Sequence, residues 1–174
     1  MKRLSLLSVA LGMLVSACGS SSPAAPTTPT NPTFTAALLP ANEVPPIVGA
    51  EASGSGNATV TLVTTKDAAG NITSATATFV VNLSGFPAGT PINIAHIHEA
   101  PSGANGGIVV NSLLTAGTVV LGANGAGTFT ASNLTVDAAL ANRILTNPAG
   151  FYFNVHSTLN PGGVARGQLV KTAG

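Results

Sequence analysis

The sequence predicts an all-β domain, a Greek-key β-sandwich or flattened barrel of about eight or nine strands with one short helix. Three observations carry that expectation. Several runs alternate Thr or Ser with Val, Leu, Ile or Ala, the period of two that a half-buried strand requires. The chain holds 20 Gly and 12 Pro, and many of them separate those runs, where turns need them. Charged residues make up only 6% of the 174, too few for a coiled coil or a charged tail.

Each element has its own signal. Phe34–Leu39 is the first strand, and Pro40–Pro46 is a rigid, non-helical connection. Asn57–Thr65 alternates Thr with Val and Leu, Lys66–Asn71 turns the chain, and Ile72–Leu83 puts Ala75, Ala77, Phe79, Val81 and Leu83 on one face, so these segments read as a hairpin. Ile92–His98 is a strand followed by the Gly-rich loop Glu99–Gly107. Ile108–Leu114 and Thr118–Leu121 are short strands, and Asn124-Gly125 marks a tight turn before Gly127–Ala131. Val136, Leu140 and Ile144 recur at helical spacing, which predicts a helix over 136–146. Thr135 is its expected cap, Asp137 sits in its first turn, Arg143 lies near its end and Pro148 stops it. Phe151–His156 and Val164–Val170 are the last strands, joined through Asn160–Gly163.

The N-terminus reads as an address. Lys2-Arg3 precede an apolar run, Leu4–Val15, too short to span a bilayer comfortably. Val15-Ser16-Ala17-Cys18 resembles a bacterial lipoprotein signal, in which residues 1–17 are removed and Cys18, the chain's single cysteine, is lipidated. Residues 18–33 are then a Pro/Ser/Thr tether that cannot bury enough apolar surface to fold. The folded domain is expected over 34–171. Acyl chains would hold the exported protein to the cell envelope. Gly19 after the cysteine favours the outer membrane if the source is a diderm.

Charge excludes some partners. The net charge is +1, but Lys2 and Arg3 belong to the segment expected to be lost. With no basic cluster to neutralise phosphates, no nucleic-acid partner is expected. The sequence contains no nucleophile elbow, phosphate-cradling Gly loop or paired-carboxylate motif.

The three histidines, His96, His98 and His156, all fall in expected strands. Residues two apart in a strand face one side, so His96 and His98 can converge on one ion while Ile97 points into the core. His156 shares its face with Tyr152 and Asn154, the polar side of its strand. If the two strands are neighbours, three imidazoles meet. Such a set, with no thiolate, suits copper, with zinc as the alternative, and export favours copper. The other reading makes all three surface or loop-packing histidines bonded to backbone carbonyls. Glu99 is either a ligand-orienting acid or a solvated loop acid, and as the next strand residue it faces away from His98. Arg166 either pairs with a carboxylate or draws an anion towards a metal, or it bonds carbonyls of the Asn160–Gly163 turn.

These residues carry a family resemblance. Asn42-Glu43-Val44-Pro45-Pro46, Gly54-x-Gly56, Ala95-His96-Ile97-His98, Gly103-x-x-Gly106, Phe153-Asn154-Val155-His156 and Asn160-Pro161-Gly162-Gly163-x-x-Arg166-Gly167-Gln168 together resemble a CHRD domain. That module is named after chordin and is common in bacterial envelope proteins. The resemblance implies a family more than an activity. More distantly, His96-Ile97-His98-Glu99 is similar to the strand of copper/zinc superoxide dismutases that supplies two copper ligands, and Val155-His156 to the strand that supplies another. By that likeness the three histidines are copper ligands and Arg166 stands near an anion-guiding arginine. No fourth histidine, zinc-ligand set or cysteine pair accompanies them, so the likeness implies a single copper site and not a zinc-containing dismutase. The expected function is metal binding or buffering at the envelope, extending to superoxide-type redox chemistry if the protein is an enzyme. The alternative is a metal-free module that binds an envelope protein or glycan through loops such as Glu99–Gly107.

Overall fold

The computed structural model describes residues 31–174. The lipoprotein signal over 1–17, Cys18 and most of the 18–33 tether lie outside the described residues.

Among the described residues, ten antiparallel strands form two sheets. One contains β1 (Thr33–Leu38), β2 (Ser55–Lys66), β3 (Ile72–Ser84), β7 (Gly127–Val136) and β10 (Val170–Ala173), in the order β10-β1-β2-β3-β7. The other contains β4 (Pro91–Glu99), β5 (Gly107–Asn111), β8 (Phe151–Ser157) and β9 (Ala165–Gln168), in the order β5-β4-β8-β9. The two-residue β6 (Val119–Val120) pairs with the start of β4. The sandwich matches the expected all-β class. The Ile72–Leu83 face closes on the core as the alternation requires: Ala75, Ala77, Phe79, Val81 and Leu83 are all buried.

Several expected elements differ in detail. Pro40–Asn42 forms one 3-10 turn within the connection expected to be non-helical, and the strand expected over Ile108–Leu114 ends at Asn111. The single strand over Val164–Val170 divides, because the chain changes sheets at the buried Leu169. β9 pairs with β8, and β10 pairs with β1. The helix α1 runs over Ala138–Thr146, later than 136–146. Val136 is still paired to Ala75 in β7, so Thr135 is a strand residue and cannot cap. Asp137 is the cap: its carboxylate accepts from the backbone nitrogens of Ala139 and Leu140. An acid there satisfies two of the orphan N–H groups at the helix start.

The core lies between the sheets. Phe34, Leu38, Val60, Leu62, Phe79 and Val81 from the first face Ile92, Ile97, Phe153 and Val155 from the second. Phe79 and Phe153 meet edge to face across the gap, with ring centroids 5.1 Å apart. Such a contact contributes about 0.5–1.5 kcal/mol beyond the area it buries.

The second sheet is covered on its outer face as well. Every residue of β8 is buried, both the apolar set Phe151, Phe153, Val155 and the polar set Tyr152, Asn154, His156. Three connections lie over that outer face and bond to it: the 3-10 turn Pro40–Asn42, the loop after β4, and the turn after β8. The alternation of β8 is that of a strand with one wet face, but loops close over the wet side.

Candidate metal centre

Register brings the three histidines together. β4 pairs with β8 so that His96 stands opposite Asn154, and His98 opposite Tyr152. His156 is two residues on from Asn154, on the same face and diagonal to His96. A β-bulge between Ile92 and Ile94 shifts the phase of β4. Ile92, Ala95 and Ile97 can therefore all face the core while His96 and His98 face outward.

The rings are in contact. Centroids lie 4.4 Å apart for His96 and His98, 4.4 Å for His96 and His156, and 6.4 Å for His98 and His156. One nitrogen from each ring lies within 4.8 Å of the others. All three residues are buried, with 2%, 8% and 7% of their surface exposed.

Backbone carbonyls fix two of the rings. His98 Nδ1 donates to the Gly106 carbonyl at 2.9 Å, and His156 Nδ1 donates to the Pro161 carbonyl at 2.8 Å. A carbonyl only accepts, so both protons sit on Nδ1 and both Nε2 atoms carry free lone pairs. Those two Nε2 atoms are buried and have no protein partner, and neither has His96 Nδ1 or Nε2. The alternative in which the histidines bond carbonyls is thus visible at His98 and His156, and it leaves both Nε2 atoms free. A carbonyl acceptor behind a ligating imidazole is the usual device that orients the ring and raises its basicity towards a metal.

Burial keeps the rings neutral. Desolvation, followed by the neighbouring histidines, pushes His96 down from 6.5 to about 3. Burial lowers His98 and His156 too, against the opposing effect of their carbonyl bonds. Neutral imidazole is the ligand form, so at neutral pH little proton competition opposes a cation here. Three neutral nitrogens, with no thiolate or carboxylate among them, can hold a metal ion.

A polar shell surrounds the cluster. Tyr152 stacks on His98 at 4.6 Å with 2° between planes, and the Arg166 guanidinium lies 4.7 Å above the Tyr152 ring. Arg166 is only 3% exposed. It donates to the carbonyls of Asn42 and Ala104 and to Asn105 Oδ1, and its Nε stands 3.8 Å from Glu43 Oε2. It does bond carbonyls, but they belong to the connections after β1 and β4, not to the Asn160–Gly163 turn. Glu99 turns away from the histidines and forms a two-pronged pair with Arg143 of α1, both half exposed.

Two buried acids stand out: Glu43, read from the sequence as a loop-anchoring group without chemistry of its own, and Glu51, which the sequence did not mark. Glu43 packs against Arg166 and Asn154, and burial outweighs the Arg166 charge to push its carboxyl up to about 7. Glu51 accepts from the Ser157 hydroxyl and the Asn160 amide, and so ties down the turn that carries Pro161. The motif Asn42-Glu43-Val44-Pro45-Pro46 was the available signal for Glu43: an acid locked between prolines in a chain with five acids. Nothing local marks Glu51, whose partners lie more than 100 residues away.

Fold and site together define an antiparallel β-sandwich with a buried three-histidine cluster on the outer face of one sheet. The family model for the CHRD domain matches residues 34–169, and the chain belongs to that family. No curated protein and no solved structure matches it.

Proposed function

We propose that this CHRD domain is a copper-binding module of the bacterial cell envelope, held there by acyl chains on Cys18 and exported by the signal over 1–17. One observation carries the metal reading. Four ring nitrogens of His96, His98 and His156 are buried without protein partners, and the cluster brings one nitrogen of each ring within 4.8 Å of the others. Leaving such groups unpaired costs about 1–3 kcal/mol each, and a bound cation removes that cost. A metal-free module for protein or glycan gives no reason to converge three imidazoles beneath loops.

Three neutral imidazoles without a carboxylate or thiolate suit copper or zinc, and export to the envelope favours copper. When bound, copper supplies one-electron redox chemistry. The protein orients two rings through Gly106 and Pro161 and keeps bulk water off the cluster. Binding or buffering is the primary role, and superoxide-type chemistry is its extension, supported by the likeness of His96-Ile97-His98 and Val155-His156 to dismutase strands.

Titration of the full-length protein with copper, and separately with zinc, tests this. One equivalent of copper, lost in His156→Ala, is expected. Equal weak uptake by both proteins rejects the site. Cys18→Ser should move the protein from the membrane fraction to the soluble one, and unchanged partitioning rejects the anchor.

A further inference from the structure

Seven buried side-chain nitrogen and oxygen atoms lack a hydrogen-bond partner among the described residues, and all belong to Glu43, His96, His98, Asn154, His156 and Arg166. The lone pairs of His98 Nε2 and His156 Nε2 follow from their carbonyl-bound Nδ1–H groups. His96 is different, because both its nitrogens are bare. A neutral imidazole carries one N–H, and when the other nitrogen binds a cation that N–H needs an acceptor.

The register leaves one acceptor free. His96 stands opposite Asn111 of β5 on one side and Asn154 of β8 on the other. Asn111 is exposed, so water can serve its side chain, and its Oδ1 accepts from the Leu113 backbone nitrogen at 2.9 Å. Asn154 is 2% exposed, and its Oδ1 is buried without a partner. Its amide nitrogen lies on the Glu43 side, because one point, the Cβ position of Gly163, is close to both that nitrogen and the Glu43 carboxylate. Gly163 closes over that contact with φ +133: a Cβ there would stand 2.7 Å from Asn154 Nδ2 and 2.9 Å from both Glu43 oxygens.

We infer that Asn154 is the positioning residue for His96. Its Oδ1 is not bonded to His96 in this structure, but it is the bare buried acceptor opposite that ring, and by taking the His96 N–H it decides which ring nitrogen is left for a cation, the role that the carbonyls of Gly106 and Pro161 already fill for His98 and His156. Glu43, paired with Arg166, lies beside the Asn154 amide nitrogen and so favours the orientation that turns Oδ1 away from it. The buried row His96–Asn154–Arg166 across β4, β8 and β9 is then a single orienting chain. The inference concerns the imidazoles of the copper reading and gains its role from it, yet its first readout needs no metal.

Long-range proton–nitrogen NMR on metal-free, full-length protein with labelled histidine reads each ring's tautomer directly. Three single tautomers are expected, with Nδ1–H at His98 and His156. An even mixture at His96 in the unaltered protein overturns the inference, and that measurement requires no variant. In Asn154→Ala the His96 signal alone should become a mixture of tautomers, and copper affinity should fall by about 10–100-fold. A His96 signal unchanged in Asn154→Ala overturns the inference, and Arg166 is then the group that Asn154 Oδ1 serves. If neither protein takes up copper the metal reading fails, while the tautomer result still decides the role of Asn154.

Discussion

The Tyr152 and His98 rings lie parallel, 4.6 Å apart, and the Arg166 guanidinium lies 4.7 Å from the centre of the Tyr152 ring. The three groups meet across β9, β8 and β4: His98 pairs directly with Tyr152, while Arg166 stands opposite Asn154 and reaches Tyr152 diagonally. The stack fixes the plane of His98, and its Nδ1–H bond to Gly106 fixes the rotation within that plane.

Tyr152→Phe keeps the stack and loses only the bond that the Tyr152 hydroxyl accepts from the Gly106 nitrogen. It should cost about 0.5–1.5 kcal/mol and leave copper stoichiometry intact. Tyr152→Ala removes a fully buried ring, should cost about 3–5 kcal/mol and should weaken copper binding. Denaturant midpoints and copper titration measure both variants, and equal effects from the two would show that the ring face does not matter.

Stability should depend on pH in two opposed ways. The Glu43 carboxyl ionises at about 7 when folded, against 4.5 when exposed, so between those values the folded chain keeps a proton the unfolded chain has released. Its contribution therefore falls as pH rises from about 4.5 to about 7. His96 has the opposite sign. Its pKa of about 3, against 6.5, means that only the unfolded chain takes up a proton as pH drops below 6.5, and stability is lost towards 3. His98 and His156 are lowered and add to the His96 trend. Glu43→Gln should remove the first slope, so its stability relative to the unaltered protein rises from pH 4.5 to 7. Urea unfolding at several pH values tests this, and a difference constant with pH contradicts it.

Gly106 presses against the end of β4. A Cβ there would overlap the Glu99 carbonyl oxygen and crowd Ala100. Gly106→Ala should therefore shift the loop whose carbonyl orients His98, costing about 1–3 kcal/mol and loosening copper binding. Gly107→Ala, with open space around its Cβ position, is the control and should be nearly silent in both assays.

Glu51→Ala should act on His156 without touching it. The change leaves Ser157 Oγ and Asn160 Nδ2 without their shared acceptor, at a cost of about 1–3 kcal/mol, and frees the turn that bears Pro161. His156 Nδ1–H should then exchange with solvent faster than in the unaltered protein, read by NMR. Unchanged exchange would sever Glu51 from the site.

The sheets were largely legible because the chain alternates cleanly. Thr and Val in β2 and the Ala-x-Ala-x-Phe-x-Val-x-Leu face of β3 state which side is buried, and spacing of two put His96 and His98 together. Pairing of β4 with β8, which completes the trio, depends on residues more than 50 positions apart and has no local signature. The same limit hid the covering of the outer face. Tyr152, Asn154 and His156 occupy the positions of a wet strand face, and only the tertiary arrangement of three distant connections dries it. Helix spacing located α1, but Thr135 and Asp137 are both good caps. The choice between them lay in β7, whose pairing with β3 extends through Val136.

The outer layer of loops has a thermodynamic consequence. Two of the three histidines come from β4 and the third from β8, so no short stretch of the unfolded chain can reproduce the cluster. A cation seated there rivets the two middle strands of one sheet and binds the native state alone. Melting temperature should then climb with free metal concentration, adding about 2.7 kcal/mol at a hundredfold excess over the dissociation constant. Calorimetry can serve as the assay for occupancy even where no colour or spectrum reports it.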